Sequence, residues 1–266
     1  MKQTPTLTDL LKQLDREGRQ AEARAVRAIL RAFKATDPDV ALLLRELTAA
    51  LLIPDPARRM AYKARLTALA ASTLPDLPPP FLLALQDAVT LGGNVGAGML
   101  AASGAPAALT IAAPAVEAAV AAIPARLTAI WGDARADHAA RVGRVMTQAL
   151  SAGGRYPVAA ELRKALDTTK ARAQMIAQTE TQAALSDGQA AVFDRAQDDL
   201  GLDLEAEWLA ARDSRTRPSH QRVNGERVPY GKKFSNGLTR PHMPGAPAAE
   251  VVRCRCSLAV RVKGGD

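Results

Sequence analysis

The residues best suited to chemistry lie near the C-terminus, where Cys254 and Cys256 are the only cysteines of this 266-residue chain. Two thiolates can bind zinc, although a structural zinc site needs about four ligands. His220 and His242 offer imidazole nitrogens, and Asp213 offers a carboxylate. The candidate ligand set for a structural zinc ion is His220, Cys254, Cys256 and Asp213. A second interpretation stays open, because free cysteines are commonly small buried hydrophobic residues.

The stretch VVRCRCSL at residues 251–258 is predicted to be a strand. In an extended segment Cys254 and Cys256 point to one face, and the residues between and beside them point to the other. Two residues on one face of a strand lie at the outer limit of disulfide reach, so a bond between them would be strained. Spacing alone therefore leaves core packing and half of a metal site as alternatives.

A polar loop, WLAARDSRTRPSHQRVNGERV, precedes the cysteines at residues 208–228. Asp213 stands two residues before Arg215, which allows a carboxylate–guanidinium pair that fixes a turn. His220 in this loop could be a metal ligand, a general base or a hydrogen-bonded loop residue. The sequence of the loop is compatible with all three roles of His220.

The elements that must position these residues are mostly helical. The first 75 residues are predicted to form three helices, and Asp37-Pro38 and Asp55-Pro56 are each predicted to be an N-cap followed by proline at the first helical position. Apolar residues recur at three-to-four spacing on one helix face, which could pack within one bundle or dock on a partner. These residues are Leu7, Leu10, Leu11, Leu14, Ala21, Ala25, Ile29 and Phe33.

A run of 29 residues from Ala88 to Val116 carries no charge. Its length would permit a membrane span. Five glycines, two prolines and many alanines make it weakly apolar and interrupt a helix. We predict buried or interface-packed segments here rather than a membrane span, and we expect no membrane partner.

The rest of the chain is predicted to contain a helix near 123–150, a short helix opened by Pro157, and a long helix over 168–200 closed by Gly201. Beyond Leu202, short alternating runs and the Asn224-Gly225 dipeptide indicate hairpins. The predicted fold class is mainly α, an elongated helical N-terminal and middle region with a small α+β C-terminal module. The predicted domains are 1–75 (helical), 76–139 (Ala/Gly/Pro-rich, helical) and 140–266, whose small basic end is 204–263.

Composition and charge narrow the class of protein further. Aromatic residues make up only 3% of the chain, which argues against a large β-sandwich or barrel. The N-terminus carries no apolar run behind its charge, so we expect no secretory signal and a reducing, cytoplasmic origin. From Leu204 onward there are 12 basic and 6 acidic residues, so this part carries +6 of the formal +8. Such an excess is compatible with a polyanion partner.

The C-terminal residues, taken together, resemble the phage Mu F-like minor head proteins of the phage head morphogenesis family. The matching residues are Trp208, Asp213, Arg215, Thr216, Arg217, His220, Gly225, Phe234, Pro244-Gly245-Ala246-Pro247 and Cys254-Arg255-Cys256. The segment from Arg172 to Thr181 also matches that family's Arg-Ala-x-x-Ile-Ala-x-Thr-Glu-Thr helix, and the resemblance covers about residues 140–263. Ala246 replaces an Asp of many relatives. Some relatives also carry a His shortly before Cys-Arg-Cys, which this chain lacks, so a bare cluster of His220, Cys254 and Cys256 would lack one protein ligand.

This resemblance implies a minor capsid protein of a tailed phage that acts in prohead assembly at the portal vertex. The implied partners are the portal protein and major capsid or scaffolding proteins. The implied location is the virion head interior near the portal, with host cytoplasm during assembly. Contact with packaged double-stranded DNA through basic side chains is a further expectation, although some of them could instead pair internally. The candidate DNA-binding residues are Arg212, Arg217, Arg222, Arg227, Lys232 and Lys233.

The alternative is an enzyme, a metal-dependent nuclease or hydrolase built on His220 and the Cys254/Cys256 pair. Some phage-head domains of this type are fused to toxin enzymes, but this chain ends shortly after Cys256, so no such addition is expected there. The chain contains no phosphate-binding glycine loop, no His-Glu-x-x-His and no nucleophile elbow. We therefore predict a structural protein without catalytic residues.

Overall fold

A computed structural model of the protein describes residues 5–105, 108–153, 156–211 and 213–264. These residues form nine helices and three strands. The helices are α1 (Leu7–Ala35), α2 (Asp37–Leu51), α3 (Pro56–Ala61), α4 (Lys63–Ser72), α5 (Pro79–Ala102), α6 (Ala108–Ala152), α7 (Val158–Leu200), α8 (Pro218–Arg222) and α9 (Ala248–Val251). The strands are β1 (Leu204–Leu209), β2 (Arg227–Pro229) and β3 (Ser257–Val262). The predicted fold class, mainly α with a small α+β module at the C-terminal end, is confirmed.

The chain divides into two compact units, each assembled from segments that are distant in sequence. The first unit contains Met1–Ala25, Leu82–Pro124 and Ala177–Asp266, and the second contains Val26–Phe81 and Ala125–Ile176. The first unit holds all three strands and the candidate site. The domain boundaries predicted at 75 and 139 stay a prediction.

The N-terminal helices follow the predicted apolar pattern. Six of the eight residues in the predicted stripe of α1 are buried, and Leu7 and Leu11 are half-buried. Asp55 is the N-cap of α3, as predicted, and its Oδ1 accepts a hydrogen bond of 2.9 Å from the Ala57 amide. The predicted third helix is divided at Tyr62 into α3 and α4.

The prediction that Asp37 caps α2 is wrong. Asp37 is the first helical residue, and Thr36 occupies the N-cap position without a capping side-chain hydrogen bond. The Thr36 hydroxyl instead donates to the Phe33 carbonyl at 2.8 Å. Because α1 ends only one residue before α2, no extended residue is available to orient a capping oxygen.

The second unit is built around a buried aliphatic core from α2, α4, α6 and α7. The core residues are Leu43, Leu47, Ala50, Leu66, Ala70, Val142, Val145, Met146, Ala149, Leu150, Leu162 and Ala165. Arg59 of α3 is also buried, and its guanidinium donates to three main-chain carbonyls, those of Ile53, Pro54 and Leu150, at 2.8–2.9 Å. This side chain therefore satisfies carbonyls near the C-terminal ends of α2 and α6, which have no intrahelical partners.

In the first unit, the part of the uncharged run that belongs to α5 is mostly buried, as predicted. A Cβ atom placed on Gly92 of α5 would lie 2.1 Å from the carbonyl oxygen of Leu185 in α7. A Cβ on Gly98 would lie 2.8 Å from a methyl carbon of Leu10. The small residues therefore let helix backbones approach closely. Residues 106–107 of the run lie outside the described residues.

One helical segment within the described residues, Ala112–Ala152 of α6, is long and apolar enough to cross a membrane by length and composition. Only 11% of its most apolar window is buried. Pro114 and Pro124 lie inside this helix.

The prediction that the short helix opened by Pro157 is separate from the long helix over 168–200 is wrong, because α7 runs without interruption from Val158 to Leu200. The Thr168 hydroxyl donates to the Lys164 carbonyl at 2.8 Å, which keeps this residue inside the helix. No proline or glycine lies near that point to end the helix. Gly201 follows with a φ of +61°, the left-handed conformation predicted for it.

The C-terminal sheet has three antiparallel strands in the order β2-β1-β3. Its central strand alternates between buried and half-buried residues, with Leu204, Ala206 and Trp208 facing the core. Glu207 of β1 is opposite Arg227 of β2 and Ala259 of β3. The sheet thereby fixes the position of Trp208, on which the candidate site is built.

Candidate functional site

His220, Cys254 and Cys256 converge at one buried point in the C-terminal module. The Nδ1 atom of His220 lies 3.5 Å from Sγ of Cys254 and 3.4 Å from Sγ of Cys256. The three ligand atoms all lie within 4.8 Å of one another. His220 belongs to α8, and both cysteines belong to the segment between α9 and β3. Three of the four predicted metal ligands are thus brought together by elements 34 to 36 residues apart.

The prediction that the cysteines lie on a strand is wrong, because β3 begins only at Ser257 and the preceding residues form α9 and a turn. Arg253 has a φ of +54°, and the Cys254 amide donates to the Val251 carbonyl at 3.1 Å. The Cys256 amide donates to Sγ of Cys254 at 3.4 Å. Both cysteines are unbonded thiols. Both thiols lie beside His220, in a segment that follows the turn at Arg253 and precedes β3.

His220 is buried and contacts Glu250, Trp208 and the two cysteines. Its Nε2 atom lies 2.8 Å from Oε2 of Glu250, which also accepts a hydrogen bond of 3.1 Å from Ser219. The ring of Trp208 packs edge-on against the imidazole, with centroids 5.0 Å apart. A carboxylate at Nε2 favours the tautomer with the proton on that atom, so the lone pair of Nδ1 faces the two thiols.

The pKa values of the two thiols move in opposite directions because one thiol is hydrogen-bonded to the other. A hydrogen bond from the Cys254 thiol lowers the pKa of Cys256, with a further contribution from His220. The same hydrogen bond, together with burial, raises the pKa of Cys254. The pair therefore carries a thiolate on Cys256 more readily than an isolated buried cysteine would.

Asp213 is not at the thiols, where the predicted ligand set placed it. Its carboxylate accepts a hydrogen bond of 3.0 Å from the Arg215 amide, and the Thr216 hydroxyl oxygen lies 3.2 Å from the same carboxylate oxygen. The guanidinium that pairs with it belongs to Arg255, not to Arg215 as predicted. Asp213 thus ties its own turn to the cysteine segment.

The other motif residues also make internal contacts. The guanidinium of Arg217 donates to the Val252 carbonyl, and the Thr216 hydroxyl donates to the Ala211 carbonyl. Gly225 has a φ of +81° and its amide donates to the Trp208 carbonyl at 2.8 Å, so this position requires a residue that adopts the left-handed region readily. Phe234 packs edge-on against Trp208 with centroids 5.3 Å apart. The motif thus forms one interlocked scaffold around His220.

Sequence reasoning missed Glu250 as a site residue. Its carboxylate contacts both Ser219 and His220, yet it lies 30 residues away from His220 in the sequence. In the sequence, only its position four residues before Cys254 could have indicated this role. A glutamate at such a position is common on surface helices and does not predict a contact with His220.

His242 lies close to this cluster and is 5% exposed. Within the described residues, neither of its ring nitrogens has a hydrogen-bond partner. Burial lowers the pKa of His242 to about 4, with a contribution from Arg240, and the nearby backbone of Cys254 opposes this shift. Its φ of +57° is unusual for a residue other than glycine.

The candidate DNA-binding residues divide into two groups. Arg217 is bound to main chain, and Arg227 pairs with Glu207 at 3.0 Å. Arg222, Lys232 and Lys233 are exposed, and none of them forms an ion pair with another described residue. Arg212 lies outside the described residues.

Residues 140–259 match the family described as phage Mu protein F like protein. The resemblance drawn from the sequence is therefore confirmed over this region. The NAD(+)--arginine ADP-ribosyltransferase EFV of Enterococcus faecalis (strain ATCC 700802 / V583) is 35% identical over 69 residues. The aligned part is 25% of this chain, and the chain spans only 14% of that protein's length. No solved structure matches the chain.

Proposed function

We propose that this chain, a phage head morphogenesis protein by the family of its residues 140–259, is a minor head component that acts in prohead assembly at the portal vertex. The family match carries the proposal. Its partners are then the portal protein and major capsid or scaffolding proteins. Its place is the head interior of the virion near the portal, reached from the host cytoplasm during assembly.

The structure of the C-terminal module supports a structural role. Its most distinctive side chains, those of Trp208, His220 and Cys254, contact one another in its interior. His220 is 1% exposed, and its two ring nitrogens already face Glu250 and the two thiols. A general base must reach the proton that it removes, and a residue enclosed in this way cannot do so without local opening. No observation favours the hydrolase alternative, and the transferase activity named for the E. faecalis protein belongs to that protein.

The experiment that tests this role is co-expression of the full chain with the portal protein of its own phage. We expect the two proteins to co-purify, and we expect the chain in isolated proheads at few copies per portal. The proposal is overturned if the chain elutes apart from the portal oligomer and is absent from proheads that assemble in its presence. Co-expression with an unrelated phage's portal is the matched control, since it has the same oligomeric form without the cognate surface.

Contact with packaged DNA is a finer part of the proposal and rests on Arg222, Lys232 and Lys233. These three exposed cations have no internal partner among the described residues and can neutralise phosphates. Replacing all three by glutamine should weaken binding to any duplex sequence. It should also reduce the slope of log affinity against log salt by about 2–3, close to one per phosphate contact.

The control is Arg227→Gln, which removes a cation of the same module that already pairs with Glu207. Its salt slope should stay close to that of the unmodified chain. Equal affinities and slopes for the triple variant and the unmodified chain would remove these three residues from the proposal. A chain that shifts no duplex at low salt would remove DNA contact altogether.

A further inference from the structure

We propose that His220, Cys254 and Cys256 bind one zinc ion and that His242 supplies the fourth protein ligand. This inference is independent of the assembly role, because it concerns only how the C-terminal module is held together. The predicted set with Asp213 cannot serve, since that carboxylate is engaged with Arg255 and its own turn.

The distances between ligand atoms fit a zinc ion. Zinc binds thiolate sulfur at about 2.3 Å and imidazole nitrogen at about 2.0–2.1 Å, so a tetrahedral site separates N from S by about 3.5 Å. The observed separations of Nδ1 of His220 from the two sulfurs are 3.4 and 3.5 Å. The same distances would also suit S–H···N hydrogen bonds. Two further observations favour a zinc ion over hydrogen bonds alone.

The first observation is the pairing of His220 with Glu250. Zinc-bound histidines commonly donate their second ring N–H to a carboxylate, which fixes the tautomer and raises the basicity of the ligand nitrogen. Nε2 of His220 lies 2.8 Å from Oε2 of Glu250, and Ser219 holds the same oxygen at 3.1 Å. The imidazole is therefore oriented with its free lone pair toward the cysteines before any ion binds.

The second observation is the unpartnered ring of His242. This side chain is 5% exposed, and within the described residues neither nitrogen makes a hydrogen bond of ordinary geometry, although the main chain of Cys254 lies near the ring. Buried polar groups nearly always have a partner, and an ion is one explanation for an exception. His242 lies beside the backbone of Cys254, outside the group whose atoms are within 4.8 Å of one another. The proposal requires a rotation of the His242 side chain that brings one ring nitrogen to the thiols, which gives a set of two cysteines and two histidines.

The resulting site would connect three segments that carry little regular structure of their own. These are the short helix α8, the turn that contains His242, and the segment that precedes β3. Each ligand would then restrain a turn that local sequence specifies weakly. In this interpretation the zinc is structural, because all four positions are filled by protein and none is left for a substrate.

The test uses the full chain purified under reducing conditions from medium that contains zinc, with metal content measured by mass spectrometry. We expect about one zinc per chain, since a closed site of four ligands holds one ion. Cobalt added to the metal-free chain should give the thiolate-to-metal absorption band and the intense visible bands of a tetrahedral site. A zinc ratio near zero together with no thiolate band on cobalt addition overturns the proposal, and this result needs no variant that could fail to fold.

Variants then separate the roles of the residues. Cys256→Ser should lower the intensity of the thiolate-to-cobalt absorption band, because only one of the two thiolates remains. Glu250→Gln should lower zinc affinity about 10–100-fold while the site keeps its four ligands. His242→Asn should weaken binding and alter the visible cobalt bands. The control is His138→Asn, which changes the remaining histidine of the chain, a buried residue of the second unit. If His242→Asn leaves the cobalt spectrum unchanged, the fourth ligand is not His242.

Discussion

Gly188 of α7 lies so close to Val89 of α5 that a Cβ atom on the glycine would be 1.9 Å from the valine carbonyl oxygen. The same pair of helices brings Gly92 against the carbonyl of Leu185. The backbones of α5 and α7 are in direct contact at this crossing. The contact is possible because Gly92 and Gly188 have no side chain. The charge-free run of the sequence therefore serves close helix packing in the first unit.

Replacing Gly188 by alanine should lower the free energy of unfolding by about 1–3 kcal/mol or more, because the obstacle is backbone that cannot rotate away. The control is Gly132→Ala, also within a long helix, where nothing lies within 4 Å of an added Cβ. That change should raise the free energy of unfolding by about 0.5–1 kcal/mol, because alanine favours the helix. Urea denaturation of both variants measures the difference, and a neutral Gly188→Ala would contradict the close approach.

Replacing Arg59 by alanine should lower the free energy of unfolding by at least about 2 kcal/mol, because buried carbonyls lose charged donors. The neighbouring Arg58 is the control, since its side chain is 82% exposed and only pairs with Asp55 at 3.7 Å. Its replacement by alanine should change the free energy by no more than about 0.5 kcal/mol. Thermal denaturation compares the two variants. Equal effects would mean that the carbonyl contacts of Arg59 do not stabilise the second unit.

Acidification should destabilise the second unit through His138. Burial lowers the pKa of His138 from 6.5, with a contribution from Arg135, while the carbonyl of Ala70 opposes the shift. The unfolded chain then binds a proton that the folded chain does not, so this contribution to stability is present above pH 6.5 and is lost as the pH falls below it. Urea denaturation at neutral and mildly acidic pH should show a smaller loss for His138→Gln than for the unmodified chain. A loss of equal size in both would exclude His138 as the source.

Alkaline conditions should destabilise the first unit through Tyr230. Burial and the neighbouring Asp194 raise the pKa of Tyr230, whose hydroxyl donates to that carboxylate at 2.7 Å. The folded chain therefore keeps a proton that the unfolded chain releases, and stability declines as the pH rises above 10. Tyr230→Phe should cost about 1 kcal/mol at neutral pH, where a hydrogen bond is lost, and should flatten the alkaline decline. Unfolding measured by circular dichroism across this pH range tests both effects.

Much of the helical fold could be predicted because its signals are local. The apolar stripe of α1, the cap at Asp55 and the left-handed Gly201 each depend on residues within a few positions of one another. The two wrong helix predictions also relied on local signals. They failed because the neighbouring helical structure left no room for the predicted cap or helix end. Asp37 lost its cap because α1 ends beside it, and α7 continued past Asp167 because nothing in that turn removes a helical hydrogen bond.

The sequence by itself determined that His220, Cys254 and Cys256 belong to one motif, because their types and order match a family. Only the tertiary structure decided what each side chain contacts. In the structure the chain turns at Arg253, Glu250 contacts His220, and Arg255 pairs with Asp213. The buried ring of His242 makes no hydrogen bond of ordinary geometry with a described residue. The physical reason is that these contacts join segments about 30 or more residues apart. The packing of α8, the turns and the sheet decides which side chains meet. A periodic pattern in the sequence cannot predict such contacts.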